Sequence, residues 1–307
     1  MTKDMIKVAD NPHCGVVYNS VAKVHRSNSH TSEVVTELLL GTPVRVMEQI
    51  KGWRRIETPE GYPGWISEAI VDMSEEELRT YNSREKVIVV VPYTVALVSG
   101  DAADGIVSPL TAGNILNLVT ESEHLYGVEF PDGRKGYLPK VAAWLLTDWM
   151  AGIELTAGSV IGLAQRFMGV PYVWGGTSAH GLDCSGFTKL VFFLHGVILP
   201  RDASQQVECG ELVDETGEFS KLLPGDLVFF GERKDDGSGD ERVVHVGFYI
   251  GDMRFIHASD YVMIGSFDPA DSLYDEFNTN RYLRTKRLLS DSVLRALDTI
   301  SKNEFYN

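Results

Sequence analysis

The 307-residue sequence contains little cysteine and lacks long apolar runs. Its three cysteines, Cys14, Cys184 and Cys209, are too few and too widely spaced for a disulfide framework or a zinc site. The longest apolar stretches, such as residues 87–91, have only the length of a strand and are too short for a membrane-spanning helix. We therefore expect no membrane partner. Neither a phosphate-binding loop nor a cluster of metal ligands is visible, so we expect no cofactor and no metal.

Basic residues are also scarce. The 28 Lys and Arg residues are outnumbered by 43 Asp and Glu, which gives a formal net charge of -15. Because this charge repels polyanions, we expect no nucleic-acid partner. The N-terminal residues lack the apolar segment of a secretory signal, so we expect a cytoplasmic protein, or one of the cell envelope or periplasm if a leader was removed. We expect a monomer.

The first half of the sequence repeats itself. Six residues recur 72 positions later with the same or a similar type: Gly41, Pro59, Gly61, Gly64, Trp65 and Ile66 return as Gly113, Pro131, Gly133, Gly136, Tyr137 and Leu138. Short alternating segments broken by Gly and Pro are typical of small β barrels. Between the copies, Ser74 and the glutamates after it predict a short capped helix. We therefore predict a barrel at 1–73, a helical linker at 74–86, a barrel at 87–150 and a different domain at 151–307.

Cys184 lies at the start of a predicted helix in that last domain. Phe187, Leu190, Val191 and Leu194 follow at the three-and-four spacing of a buried helix face. The exposed N–H groups and the positive end of the helix dipole favour the thiolate, which attacks carbonyl carbon. The alternative is a small buried apolar side chain, and it holds unless a base is available.

Two histidines of a predicted hairpin supply that base. His245 alternates with Val244 and Val246 on a strand, and His257 lies on the next strand after a turn at 251–253. A loop with an odd number of residues places His257 on the same face as His245, for instance opposite Gly247, whereas a two-residue loop separates them. On one face, Cys184 attacks, His245 moves the proton and His257 fixes the tautomer of His245. Backbone N–H groups at the helix start, including that of Cys184, would hold the oxyanion.

Several segments in order resemble the NlpC-type cysteine peptidases. They are GVPYVWGGTSAHGLDCSGFTKLVF, LPRDASQQ, LLPGDLVFF, HVGFYIG and FIHAS, which lie within about residues 155–290. The resemblance implies an α+β, papain-like domain with a central antiparallel sheet and the nucleophile helix packed against it. It also implies the set Cys184, His245 and His257.

The duplicated half resembles bacterial SH3-like domains, and the whole chain is similar to γ-D-glutamyl-L-diamino acid endopeptidases. The resemblance implies a small murein-derived peptide substrate with a free L-Ala amine, cut after D-Glu. The candidate substrate-binding residues are Asp183, Ser185, Tyr62, Glu33 and Trp174. Asp183 could equally cap the helix. Tyr62 could be an ordinary turn residue, Glu33 a solvated surface group, and Trp174 ordinary packing.

Two other functions are compatible with the sequence. The chain could be a general D,L-endopeptidase on intact peptidoglycan, with the barrels as wall anchors. It could also be a non-catalytic binding protein whose barrels bind a ligand. The Cys184, His245 and His257 set argues against the second, and the net charge of -15 argues mildly against the first.

Overall fold

The computed structural model describes residues 13–233 and 241–307. The chain divides into two compact units, of which the first ends at Ile153 and also includes Thr299–Asn307, and the second is Glu154–Asp298. Residues 1–12, with which the first predicted barrel begins, lie outside the described part of the chain.

The first unit begins with an antiparallel sheet. Its strands are β1 His13–Val17, β2 Val21–His25, β3 Val34–Leu39, β4 Pro43–Ile50, β5 Trp53–Glu57, β6 Pro63–Ile66 and β7 Ile70–Met73. They hydrogen-bond in the order β3-β2-β6-β5-β4-β1-β7. Alternate residues such as Val24, Val44 and Ile56 are fully buried and form the core, as the period of a strand requires.

A helix, α1 Glu75–Ser83, connects this sheet to the next. Ser74 caps it: the Ser74 hydroxyl accepts from the Glu77 N–H, and the Glu77 carboxylate accepts from the Ser74 N–H at 2.8 Å. Leu78 and Tyr81 pack against Val16. The structure thus has the capped helix that the sequence predicts.

The second sheet repeats the first. Its strands, and the helix after them, are β8 Lys86–Val89, β9 Tyr93–Leu97, β10 Ile106–Thr111, β11 Ile115–Glu121, β12 Leu125–Glu129, β13 Lys135–Pro139, β14 Ala143–Leu145 and α2 Leu146–Ala151. The order β10-β9-β13-β12-β11-β8-β14 matches that of the first sheet strand for strand. Gly41 and Gly113 have φ of 85° and 86°, a conformation that glycine adopts without strain. The backbone conformation at these two positions explains why glycine recurs in both copies.

The last nine residues differ from the domain prediction. Residues 299–307, which the sequence prediction placed with 151–298, belong to the first unit. The Asn303 side-chain amide donates to the Pro59 carbonyl at 2.9 Å, and Phe305 is buried. The buried Phe305 ring and the hydrogen-bonded Asn303 amide hold this segment against the first sheet. From the sequence alone, neither residue shows that the segment packs there rather than on the preceding domain.

The second unit combines helices with a second type of sheet. In chain order its elements are α3 Ala157–Gln165, β15 Thr177–Ser178, β16 Gly181–Leu182, α4 Cys184–Phe193, α5 Ala203–Gln206, β17 Glu211–Asp214, β18 Leu227–Arg233, β19 Glu241–Gly251, β20 Arg254–Ala258, β21 Val262–Ser266, α6 Glu276–Asn280, β22 Tyr282–Arg287 and α7 Asp291–Ala296. Six antiparallel strands run in the order β17-β22-β18-β19-β20-β21. The predicted α+β class is confirmed.

Helix α4 packs on one face of this sheet. Phe187 and Phe192 contact Phe248 of β19, with ring centroids 5.7 Å apart in each pair. Successive strand residues point to opposite faces, so Phe230 and Phe255 form an aromatic core on the other face. Among the helices of the described residues, none has the length and hydropathy of a membrane-spanning segment.

Candidate active site

Cys184 is the first residue of α4. Asp183 is the N-cap, and its carboxylate accepts from the Gly186 N–H at 2.7 Å, which fixes the start of the helix. The Cys184 sulfur is buried and lies 3.9 Å from the Val244 carbonyl oxygen of β19. The pairing of β19 with β20 begins at Gly247, so Val244 precedes the part of β19 that pairs with β20.

His245 and His257 lie on the same face of the β19–β20 hairpin. His257 is directly opposite Gly247, which makes it the diagonal neighbour of His245. His245 Nε2 is 2.7 Å from His257 Nδ1, so the two rings share a hydrogen bond. The structure therefore gathers a thiol and two imidazoles around the segment 244–247.

A β-bulge keeps the two histidines together. The turn contains two residues, Asp252 and Met253, both with positive φ, and the sequence reasoning expected such a loop to separate the histidines. The register shifts between Tyr249 and Gly251, however, so Ile250 is an extra residue on β19. This extra residue reverses the face on which the side chains of β20 lie. Gly251 has φ of 98°, which a residue with a Cβ rarely adopts.

The thiol and the imidazoles are held neutral in this structure. Burial, followed by the nearby Asp183 carboxylate, raises the pKa of the Cys184 thiol to about 12, although the Val246 N–H acts to lower it. Burial lowers the pKa of His245 well below its ordinary value and that of His257 to about 4. The predicted preference for the thiolate is therefore wrong for this state, because a helix N-terminus contributes only about 0.3–1 kcal/mol and desolvation outweighs it.

Asp183 and Ser185 flank Cys184, but their hydrogen bonds turn inward. The Asp183 carboxylate contacts both terminal nitrogens of the buried Arg201 guanidinium and accepts from the Gly175 N–H at 3.0 Å. The Ser185 hydroxyl accepts from Arg201 at 2.9 Å. Of the two roles considered for Asp183, the capping role is the one that its contacts satisfy.

The other predicted substrate-binding residues are more dispersed. Trp174 is 64% exposed in the second unit and precedes Gly175, whose N–H reaches the N-cap. Tyr62 and Glu33 belong to the first unit, where Tyr62 packs on the barrel core and Glu33 forms an ion pair with Arg26. Their role in substrate binding stays a prediction.

Sequence reasoning missed two charged residues beside the histidines. Asp275, the N-cap of α6, places a carboxylate oxygen 3.8 Å from His257 Nε2. The guanidinium charge of Arg281 lowers the pKa values of His245 and His257. An acidic residue before a short helix reads as a cap, so the sequence carried no signal for a contact with His257.

The arrangement can perform nucleophilic acyl transfer. A thiol, a neighbouring base and a group that orients the base are its requirements. Across residues 13–233 and 241–307, no group of three His, Cys, Asp or Glu side chains is arranged to hold a metal ion.

Comparisons with known proteins agree with this chemistry. The sequence profile described as the NlpC/P60 family matches residues 169–287, and the one described as the bacterial dipeptidyl-peptidase Sh3 domain matches residues 24–70. A gamma-D-glutamyl-L-lysine dipeptidyl-peptidase from Bacillus cereus is 32% identical over 238 residues, 75% of this chain and 68% of the relative. Dipeptidyl-peptidase 6 from Lysinibacillus sphaericus is 26% identical over 84% of this chain and 93% of its own.

A solved structure extends the likeness to the fold. The crystal structure of an NlpC/P60 family protein from Bacillus cereus superposes with a TM-score of 0.75 at 25% identity, covering 90% of this chain and all of that one. Sequence and fold thus lead to the same assignment as the residues around Cys184. The chain belongs to the NlpC/P60 family of cysteine peptidases, with an N-terminal SH3-like region.

Proposed function

We propose that this peptidase hydrolyses the γ-D-Glu–L-diamino acid bond of murein stem peptides whose N-terminal L-Ala amine is free. The names of the two relatives, gamma-D-glutamyl-L-lysine dipeptidyl-peptidase and dipeptidyl-peptidase 6, support this substrate class. The observation that carries the chemistry is that the Cys184 sulfur packs against β19, the strand that contains His245. His245 is in turn hydrogen-bonded to His257.

The first step forms a tetrahedral intermediate. As the Cys184 sulfur attacks the D-Glu γ-carbonyl carbon, its proton passes to His245, so the ion pair exists only as the new bond forms. The neutral thiol and imidazole of the resting enzyme are consistent with proton transfer during the attack. Burial raises the pKa of the thiol and lowers that of the imidazole, so it disfavours the ion pair before substrate reacts. The N–H groups at the start of α4 are the donors for the negative oxygen of the tetrahedral intermediate.

The intermediate then collapses to a thioester, and hydrolysis of the thioester regenerates the enzyme. The imidazolium of His245 gives its proton to the leaving amine of the diamino acid, and the C–N bond breaks. Water then attacks the thioester with His245 again as the base, which releases L-Ala-γ-D-Glu and restores the thiol. His257 holds the His245 ring throughout by the 2.7 Å hydrogen bond.

Asp183 and Ser185 serve Cys184 rather than the substrate in this scheme. Their bonds to Arg201 and to the N-terminus of α4 fix the backbone that carries the sulfur. The thiol and both imidazoles come from one unit of one chain, so we propose that a monomer is sufficient. The expected cytoplasmic location belongs to the same proposal, since a small soluble peptide is the substrate.

Three substrates test the proposal. Wild type, Cys184→Ala and the matched control Cys209→Ala are incubated with L-Ala-γ-D-Glu-diamino acid peptide, with its N-acetylated form and with whole sacculi. Products are measured by liquid chromatography and mass spectrometry. We expect wild type and Cys209→Ala to cleave only the free-amine peptide, and Cys184→Ala to lose at least about 10³-fold in rate, because the nucleophile is absent.

Other results identify the alternatives. Release of peptides from sacculi at a rate comparable with cleavage of the free-amine peptide would overturn the proposed substrate class and favour a general endopeptidase. Equal activity of Cys184→Ala and wild type, or binding without cleavage by either, would overturn the proposed chemistry.

A further inference from the structure

Beside the two histidines, the second unit holds a buried polar atom that the mechanism above does not use. His257 Nε2 is buried and has no hydrogen-bond partner among the described residues. Such an atom is uncommon, because leaving a buried donor or acceptor unpaired is unfavourable by about 1–3 kcal/mol. A charged group lies close to it, the Asp275 carboxylate, whose Oδ2 is 3.8 Å away. A movement of under about 1 Å would close this gap to a hydrogen bond.

The Asp275 carboxylate is held in place from its other side. Its Oδ1 accepts from the Asn278 N–H at 2.9 Å as the cap of α6, and its Oδ2 accepts from the Asn278 side-chain amide at 2.5 Å. The Asn278 oxygen accepts from Arg281 Nε at 2.9 Å and Nη2 at 2.7 Å. Arg281 can only donate, so the Asn278 amide has one possible orientation, with its NH₂ toward Asp275.

This chain of bonds determines what Asp275 offers to His257. The ionised carboxylate only accepts, and one lone-pair direction of Oδ2 is already used by Asn278. Oδ2 can accept one further hydrogen bond and lies 3.8 Å from His257 Nε2, which favours the tautomer with its proton on Nε2. His257 is neutral, so its Nδ1 is then bare and can only accept.

The tautomer of His257 fixes that of His245. A bare His257 Nδ1 requires that His245 Nε2 donate in the 2.7 Å hydrogen bond. A neutral His245 with its proton on Nε2 has a free lone pair on Nδ1, which is the form that can accept the proton of Cys184. With the opposite tautomer of His257, His245 Nδ1 would carry a proton and could not act as a base.

We propose that Asp275 is a positioning residue, which holds the ring proton of His257 on Nε2 and thereby keeps His245 Nδ1 unprotonated toward Cys184. The role rests on the proposed function for its effect on rate, but its effect on the tautomers exists without substrate. Asn278 and Arg281 support it by fixing the carboxylate, and none of the three touches the reacting atoms.

Asp275→Asn tests this directly. Asparagine still caps a helix, but its NH₂ can donate toward His257 Nε2 and so favours the opposite tautomer. The matched control is Asp271→Asn, which makes the same change four residues earlier, where the carboxylate pairs with Arg254 instead. Asp275→Ser is a second variant, since its hydroxyl can cap α6 and is too short to reach His257.

Two readouts are needed. In wild type, ¹⁵N NMR of histidine-labelled protein is expected to show both His245 and His257 protonated on Nε2, and in Asp275→Asn a substantial fraction protonated on Nδ1. With the free-amine peptide, kcat of Asp275→Asn is expected to fall about 10- to 100-fold with KM within about twofold, and Asp275→Ser to lose less. Asp271→Asn is expected to match wild type in both.

The outcomes separate this inference from the proposed function. Wild-type tautomers with His257 protonated on Nδ1, or unchanged tautomers in folded Asp275→Asn, would overturn the inference even if kcat falls, since the fall would then be structural. If wild type cleaves none of the peptides, the proposed function fails, and the NMR comparison still decides the role of Asp275.

Discussion

Lys86 in the first unit and His257 in the second are both buried titratable side chains, but their surroundings are opposite. The three N–H groups of the Lys86 ammonium are shared among three carbonyls at the end of α1 and Asn117 Oδ1, which lies at 3.1 Å. His257 Nε2 has no hydrogen-bond partner within the described residues. Burial lowers both pKa values, that of Lys86 to about 7 and that of His257 to about 4.

The difference separates a site built for the fold from one built for chemistry. The Lys86 ammonium contacts carbonyls at the end of α1, so its burial stabilises the connection between the two sheets. The Cys184, His245 and His257 set is buried without full compensation, which keeps the groups neutral and ready to exchange a proton. The two sites should therefore respond differently to substitution.

The largest expected effect is on the pH dependence of stability in the second unit. His257 has a pKa of about 4 when folded and an ordinary value near 6.5 when unfolded, so the unfolded state takes up the proton first as pH falls. Stability is complete above pH 6.5, is lost between 6.5 and 4, and does not change further below 4 through this group. His257→Gln should remove about 3 kcal/mol of this loss.

Hydrogen exchange of β19 and β20, corrected for the intrinsic rate at each pH, measures that difference. The matched control is His180→Gln, which makes the same change at an exposed position of the same unit. An equal slope in His257→Gln and wild type would mean that His257 is not buried in the neutral form.

A smaller effect is expected in the first unit. Lys86→Met leaves Asn117 Oδ1 and the carbonyls at the end of α1 without their donor, and should lower the free energy of unfolding of this unit by about 1–3 kcal/mol. Lys140→Met is the matched control, since Lys140 forms a surface pair with Glu121 that contributes at most about 1 kcal/mol.

Exchange in β8 and β11 reports the stability of the first unit in the two lysine variants. A Lys86→Met protein as stable as Lys140→Met would show that the ammonium contributes no more than a surface charge. The contrast with His257 would then disappear.

The histidine pair shows how far sequence reasoning reaches. The alternation around His245 predicts its face, and one of the two registers considered, with His257 opposite Gly247, is the one in the structure. The sequence could not decide between them, because the bulge at Gly251 is invisible in a segment that reads simply as a turn. The duplicated half is easier to predict, since turn glycines such as Gly41 and Gly113 reflect a local backbone requirement.

The sequence does not predict how deeply a side chain is buried or which distant residues it contacts. The helix start at Cys184 is a local feature and was predicted, whereas the desolvation that raises its pKa depends on everything packed around it. Asp275 reaches His257 only because the chain returns to the sheet after β21. The residues 299–307 were misassigned for the same reason, since a terminal segment can pack far from its neighbours in sequence.

The central claim is that the sulfur of Cys184 gives its proton to His245. Alkylation of the cysteines by iodoacetamide, followed by mass spectrometry of wild type and His245→Ala at pH 7.5, tests it with Cys209 as an internal control in the same samples. The account predicts that Cys184 reacts at least about 10-fold more slowly in His245→Ala while the rate at Cys209 is unchanged. Equal rates at Cys184 in the two proteins would contradict it.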